Sequence, residues 1–224
     1  TGARITDVRA YLAQLKGMLS NPSFLAFFLV SVMFFIILGT QRTLALHMNT
    51  YFWELSTKNI QFMLYALFGG TVIFIPFAKY IIDRLDKKRS MYVGLILLLA
   101  AFVLPTSLRL LGLFPENSSP LCLPFLLAAQ FFAGICVGLL VVTTGAIVAD
   151  IADDHEWRTG KRQEGALFGF FNFANKATSG VGHLVAGVAL SLISFPTGRT
   201  VRPGEVAQDV LNHLGWVYGP GVFL

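Results

Sequence analysis

One lysine lies deep in a long apolar run of the sequence. Lys176 is the only Asp, Glu, Lys or Arg between Gly165 and Pro196, and it lies roughly 16 Å along a helix that begins at Gly165. Because the hydrocarbon core of a bilayer is about 30 Å thick, its ammonium group is expected near the midplane of a membrane. A charge at that depth requires a polar cavity or a carboxylate partner, and it marks a functional site. The alternative is a lysine that only holds neighbouring helices together.

Two amides accompany this lysine. Asn172 lies one helical turn before Lys176 on the same face, and Asn175 is its immediate neighbour. Side-chain amides at such a place can hydrogen-bond the hydroxyl groups of a small solute. The sequence places no acid at the same depth, so the lysine either finds a carboxylate outside this chain or loses its proton.

Three further polar residues are candidates for the same cavity. Thr143 and Thr144 lie on the preceding apolar run and are candidates to face the same cavity. The alternative is that each hydroxyl bonds to its own helix backbone and is then not available to a ligand. Arg42 lies about 28 Å along the first apolar run from Ser23. It either contacts a ligand at the outer mouth or anchors its helix at the membrane interface.

A cluster of acids and bases separates the fourth apolar run from the fifth. The cluster contains potential metal ligands at i, i+3 and i+4 spacing, which brings carboxylates together at a helix end: Asp150, Asp153, Asp154, His155 and Glu156. The bases that follow can instead pair with these acids, and no further His or Cys lies near. We therefore predict a salt-bridged gate with no metal, formed by Asp150, Asp153, Glu156, Arg158, Arg162 and Glu164. A membrane enzyme or a metal sensor that uses Asp150 to Glu156 is the alternative.

The composition indicates an integral membrane protein. Hydrophobic residues make up 55% of the 224 residues, charged residues only 13%, and there are 21 phenylalanines. The net charge of +5 comes from bases in short loops, which membrane topology explains, so no nucleic-acid partner is expected. Cys122 and Cys136 are about 21 Å apart on one predicted helix, too far for a disulfide. The chain lacks an initiator methionine, so we expect a fragment of a longer protein.

The fold class predicted is all-α, a polytopic helical bundle in a lipid bilayer. Residues 1–22 form an amphipathic connector, and residues 23–224 form a transmembrane bundle. Gly134-Ile-Cys-Val-Gly138 predicts close packing of the fourth span against a neighbouring helix. The predicted spans are 23–53, 60–82, 91–113, 121–148 and 166–195, with a truncated sixth span from Gly215.

The distribution of Lys and Arg predicts the orientation. Most of the 17 Lys and Arg residues lie in the connector, around residues 79–89 and in residues 158–162. Only Lys58, Arg109, Arg199 and Arg202 lie in loops on the other side. The excess of positive charge places the first side in the cytoplasm. We therefore expect a multi-pass protein of the cell membrane, with the N-terminus of this chain in the cytoplasm.

A spaced motif surrounds the charged cluster and the lysine. In this chain it reads Ala149-Asp150, Asp153, Glu156-Trp157, Thr159-Gly160, Arg162, Glu164-Gly165, Phe168, Lys176 and Gly187. On this motif the sequence resembles the glycoside-pentoside-hexuronide:cation symporter family, the melibiose-permease-like branch of the major facilitator superfamily. The resemblance extends over the whole chain, through residues 21–24, 83–89 and 218–220. It departs at residues 153–156, which read Asp-Asp-His-Glu where the family usually has Asp-Tyr-Gly-Glu.

The resemblance implies the C-terminal half of a twelve-helix transporter, whose N-terminal half is then the partner of this chain. That half would supply the acids near Lys176 that bind the coupling cation, sodium or proton, and Phe171 and Asn172 would face the sugar. The implied function is cation-coupled symport of a glycoside by alternating access, with no enzymatic reaction and no cofactor besides the cation. A symporter of a non-sugar solute, such as a lysolipid or a sulfonated sugar, fits the same scaffold.

Overall fold

The computed structural model describes residues 22–160, 164–196, 202 and 204–221, and these residues form helices and no strands. The predicted all-α fold is confirmed. Residues 1–21 of the predicted connector lie outside the described part. The elements are α1 (Pro22–His47), a π-helical turn (Met48–Phe52), α2 (Thr57–Leu85), α3 (Lys87–Leu110), α4 (Cys122–Thr159), α5 (Glu164–Leu192) and α6 (Gln208–Tyr218).

Four of the described helical segments are long and apolar enough to cross a membrane. They are Phe24–Phe52, Thr57–Leu85, Lys87–Leu110 and Cys122–Arg158. Helix α5 has 29 residues and is therefore about 43 Å long, and it carries Asn172, Asn175, Lys176 and His183 along its length. That α5 also crosses the membrane stays a prediction.

The helices pack in two groups. Helices α2 and α3 pack along α4, whereas α5 packs along α1, and α4 and α5 touch each other over only a short stretch. Helix α6 packs on α3 and on the π-helical turn. The bundle is therefore built from two tightly packed units that share a smaller contact.

Close backbone contacts hold the first unit together, as the paired glycines of the fourth span predicted. A methyl group added at Gly134 would clash with the carbonyl oxygen of Leu67, and one added at Gly138 would lie 2.9 Å from the carbonyl oxygen of Thr71. The Thr71 hydroxyl donates a hydrogen bond to the carbonyl of Gly134 at 3.0 Å. The predicted close packing is confirmed, and α2 is the neighbouring helix.

The second unit has a similar crossing. The Thr40 hydroxyl on α1 donates to the carbonyl of Gly182 on α5 at 3.1 Å. A Cβ at Gly182 would lie 2.7 Å from the carbonyl oxygen of Ile36, so only glycine allows the two backbones to approach this closely. Helix α5 is thereby fixed on α1 with one defined face turned inward.

The charged cluster is helical and continues α4 beyond residue 148, where the predicted fourth span ends. Helix α4 continues to Thr159 and ends at Gly160, which adopts the left-handed conformation with φ of 67°. No glycine or proline lies between Gly145 and Gly160, and Arg158 pairs with Asp154 one turn away at 2.9 Å. Both features favour helix where the hydropathy alone indicated the end of a span.

The sixth helix also differs from its prediction. It begins at Gln208, seven residues before the predicted start at Gly215. The buried residues Leu211, Leu214, Gly215 and Tyr218 recur at helical spacing. Exposed polar residues such as Asp209 and His213 on the other side of α6 lower the average hydropathy, so hydropathy alone does not indicate the first turns of this helix.

A buried hydrogen bond joins α6 to α1. The Gln41 side-chain amide donates to the Tyr218 hydroxyl at 2.8 Å, and both residues are buried. We expect Tyr218→Phe to lower the free energy of unfolding by about 1–3 kcal/mol, because it leaves a buried N–H group of Gln41 without an acceptor.

Thermal unfolding of the purified protein measures this effect. The double variant Gln41→Leu/Tyr218→Phe removes both polar groups, and we expect it to regain part of the lost stability. Equal melting temperatures of Tyr218→Phe and the wild type would contradict the prediction.

Candidate functional site

Lys176 and Asn172 lie on one exposed face of α5. Both residues are exposed, and a separation of four residues places them one turn apart on the same side of the helix. One N–H of the Asn172 side-chain amide donates a hydrogen bond to the carbonyl of Phe168 at 3.0 Å. The second N–H and the carbonyl oxygen of this exposed side chain remain accessible to a ligand, as the prediction requires.

Glycines line the same face of α5. At 100° per residue, Gly165, Gly169, Gly180 and Gly187 all fall within about 40° of the direction of Lys176. A Cβ built at any of these four glycines has no described atom within 4 Å. The face that carries Lys176 is therefore shallow and unobstructed by the part of the chain that the structure describes.

His183 belongs to this face and was missed in the sequence analysis. It lies seven residues after Lys176, which places it about 20° from the lysine around the helix axis, and it is exposed. The two-turn spacing was the signal that could have identified it. Imidazole, ammonium and amide groups are therefore aligned along one side of α5.

Phe171 occupies a different side of α5. Its ring lies 5.8 Å from the ring of Phe27 and 5.2 Å from the ring of Phe35, both on α1. Because Phe171 and Lys176 differ by about 140° in direction, the phenylalanine contributes to packing between α1 and α5. A contact between Phe171 and a sugar stays a prediction. The same holds for a hydrogen bond between a solute and Asn175, which is half-buried.

The two threonines differ in availability. Thr143 is fully buried, and its hydroxyl donates to the carbonyl of Leu139 at 2.8 Å, so its hydroxyl hydrogen is already used within α4. Thr144 is half-buried, and Arg42 on α1 is exposed. A ligand role for Thr144 and Arg42 stays a prediction. The Thr143 hydroxyl bonds to its own helix backbone, which is the case in which no ligand role is expected for it.

An ion pair joins two helices at the start of the charged cluster. The ammonium group of Lys87, the first residue of α3, lies 2.6 Å from the carboxylate of Asp150 on α4. Asp154 pairs within α4 with Arg158 at 2.9 Å. Only the second pair follows the predicted pattern of acids that bind the bases after them. Because the Lys87 and Asp150 side chains are 37% and 56% exposed, their pair contributes less than about 1 kcal/mol to stability.

The remaining residues of the predicted gate lie near this pair in the sequence. Asp153 is exposed, Glu156 and Glu164 are half-buried, and Arg162 lies outside the described residues. His155 is buried, with 4% of its surface exposed. Among the described residues no three His, Cys, Asp or Glu side chains form a group that could hold a metal ion, so the metal-sensor alternative receives no support from the geometry.

A comparison with protein families covers nearly the whole chain. Residues 6–223 match the family described as MFS/sugar transport protein. The chain belongs to this family. Membership in MFS/sugar transport confirms the resemblance that the motif around Lys176 indicated, and it fits the apolar helices of the fold. No solved structure matches this MFS chain significantly.

Curated relatives of this MFS chain are named as symporters and carriers. It is 26% identical over 155 residues to the uncharacterized symporter YjmB of Bacillus subtilis, covering 66% of this chain and 30% of the relative. It is 25% identical over 148 residues to a glucuronide carrier protein homolog of Escherichia coli, covering 66% and 30%. It is 25% identical over 151 residues to the sodium-dependent lysophosphatidylcholine symporter 1-A of Danio rerio, covering 66% and 26%. These alignments span less than a third of each relative.

Proposed function

We propose that the protein is a secondary active transporter of the cell membrane that moves a glycoside or a related sugar together with sodium or a proton. The exposed face of α5 is the observation that carries this proposal, because it aligns Lys176 with Asn172 and His183 between glycines that leave room for a solute. Membership in MFS/sugar transport supports the same function. Alternating access of a midplane site then provides the mechanism.

Each group on this face has a role in the proposal. Lys176 responds electrostatically to occupancy of the cation site, whose acids come from the N-terminal half of the protein outside this chain. Asn172 donates to and accepts from hydroxyl groups of the solute. The glycines allow the solute to approach the backbone of α5 closely, since they add no side-chain atoms to this face.

The Lys87–Asp150 pair has a different role in the proposal, as part of a gate. We place it on the cytoplasmic side, as the charge distribution predicts, where it joins the first turn of α3 to α4. A weak, exposed ion pair suits a gate, because opening it costs little free energy. In the proposal the gate also includes the other charged residues predicted for it, Asp153, Glu156, Arg158, Arg162 and Glu164.

A lysolipid is the second candidate solute. The exposed rings and aliphatic groups of Phe173 and Leu184, 66% and 71% exposed, border the face that carries Lys176. Apolar surface beside an ammonium group suits an amphipathic solute better than it suits a sugar. The Danio rerio relative is named for transport of such a lipid.

Uptake into proteoliposomes tests the proposal. The protein at its full natural length is reconstituted, and accumulation of radiolabelled glycosides is measured with and without an imposed sodium or proton gradient. We expect gradient-dependent accumulation that a matching ionophore abolishes. If glycosides fail to accumulate but a labelled lysolipid does, the second candidate replaces the first. If neither accumulates while the protein is shown to be inserted, cation symport of either solute is wrong.

A further inference from the structure

A separate polar pocket lies at the far end of α3 from Lys87. It has a volume of about 500 Å³ and lies between the end of the π-helical turn, the end of α3, the loop at residues 116–118 and the start of α6. Phe52 and Leu211 contribute apolar walls. Its polar lining consists of Glu54, Arg109, Glu116, Asn117, Gln208 and Asn212. Because α3 separates this pocket from the Lys87–Asp150 pair by about 33 Å, the two features are at opposite ends of the bundle.

The three charged residues of this pocket are not paired with one another. The side chains of Glu54, Arg109 and Glu116 form no ion pair or hydrogen bond with any residue that the structure describes. Glu54 adopts φ of 50°, a conformation disfavoured for residues other than glycine. When carboxylates and a guanidinium share a pocket without pairing, they can together bind one zwitterionic ligand, the carboxylates at its positive group and the guanidinium at its negative group.

The acceptors around the pocket indicate which positive group such a ligand carries. The amide nitrogen of Asn117 donates to the carbonyl of Phe52 at 2.9 Å, whereas its Oδ1 atom is buried and has no hydrogen-bond partner. Because this oxygen is buried, the carboxylates of the exposed residues Glu54 and Glu116 are the acceptors that a ligand in the pocket can reach. A primary ammonium group offers three N–H donors to these acceptors, and a quaternary ammonium group offers none. The pocket therefore favours a primary ammonium group.

Arg109 and the nearby surface indicate the rest of the ligand. A guanidinium group binds phosphate through paired N–H donors. Leu111, Leu113 and Leu121 follow Arg109 in the chain and are 69%, 73% and 58% exposed, which places an apolar surface beside a polar pocket at the end of membrane helices. This combination matches a phospholipid whose headgroup enters the pocket while its acyl chains cover the leucines.

We propose that this pocket binds the headgroup of an aminophospholipid. The phosphate lies at Arg109, and the ammonium group lies between the carboxylates of Glu54 and Glu116. The site is independent of the proposed solute site on α5. It provides a fixed lipid contact that ties the end of α3 to the start of α6.

Lipid retention by the full-length protein tests this site. The protein is purified from nanodiscs that contain equal amounts of phosphatidylethanolamine, phosphatidylcholine and phosphatidylglycerol, and the retained lipids are quantified. We expect enrichment of phosphatidylethanolamine over phosphatidylcholine of about tenfold, since the ammonium hydrogen bonds to charged acceptors distinguish the two. Glu54→Gln/Glu116→Gln is expected to abolish this preference, and Arg109→Gln to reduce retention of all three lipids. Lys58→Gln, a charge change near the same end that does not line the pocket, is the matched control.

Three results would overturn the proposal. One is the absence of phosphatidylethanolamine enrichment in folded wild-type protein. Another is an unchanged preference in Glu116→Gln, a single change on an exposed loop residue that does not endanger folding. The third is full displacement of the lipid by equimolar water-soluble glycerophosphoethanolamine, which would show that the pocket takes a soluble zwitterion instead of a membrane lipid.

Discussion

Gly70→Ala is expected to force α2 and α4 apart and to lower the free energy of unfolding by about 3 kcal/mol or more. A methyl group at Gly70 would clash with the carbonyl oxygen of Phe131 and would lie 3.1 Å from the backbone nitrogen of Ile135. These atoms belong to the backbone of α4, so they cannot move aside as a flexible side chain can. Helix α4 has its longest contacts with α2, and the damage therefore reaches the whole first unit of the bundle.

The neighbouring residue provides a matched control. Gly69→Ala is the same substitution one position earlier on α2, where an added Cβ has no described atom within 4 Å. We expect it to be neutral or slightly stabilising, because alanine favours helix over glycine. Melting temperatures of the two purified variants measure the difference. Equal losses in both would show that crowding at the crossing is not the cause, and Gly134→Ala, which faces Leu67 from the other helix, should reproduce the loss.

Lys176→Met is expected to reduce gradient-driven uptake about 100-fold, an effect at the upper end of typical coupling free energies between sites. The substitution removes the only Asp, Glu, Lys or Arg between Gly165 and Pro196. Under the proposed function it leaves the acids of the cation site without the group that responds to their occupancy. An apolar side chain of similar length is well tolerated in a membrane helix, so the protein should still insert.

Uptake and insertion are measured side by side in this experiment. Proteoliposomes that carry equal amounts of inserted protein are assayed for glycoside accumulation under a sodium gradient. Lys79→Met makes the same chemical change at another exposed lysine of a long helix, α2, and should retain uptake. Wild-type coupled uptake by the Lys176→Met protein would remove Lys176 from the mechanism, whatever the solute is.

Local patterns in the sequence predict much of this fold. Runs of apolar residues locate α1 to α4, and the spacing of Gly134 and Gly138 predicts the crossing with α2, because close approach depends only on small residues one turn apart. Hydropathy fails at residues 149–159 and 208–214, where charged or polar side chains lie on continuing helices. Helix formation depends on backbone hydrogen bonds and breakers, so it persists where the hydropathy falls.

The candidate site was less predictable than the fold. Lys176 and Asn172 follow from sequence, because a charge in an apolar run is a local signal. The pairing of Asp150 with Lys87 joins residues 63 positions apart, and no local spacing encodes it. The polar pocket at the end of α3 combines short segments from four parts of the chain, so its unpaired charges become visible only in three dimensions.

The length of α4 has a mechanical consequence. Its 38 residues extend for about 57 Å, well beyond a hydrocarbon core of about 30 Å. If the tight crossing at Gly134 acts as a fulcrum, the arm towards Cys122 is about 18 Å long and the arm towards Thr159 about 37 Å long. When α4 rocks about this crossing, its charged end therefore moves about twice as far as its end at Cys122. A tilt of about 10° moves Asp150, which lies about 24 Å from Gly134 along the helix, by roughly 4 Å, enough to break an ion pair. This lever would turn a small rearrangement at the crossing into separation of Asp150 from Lys87.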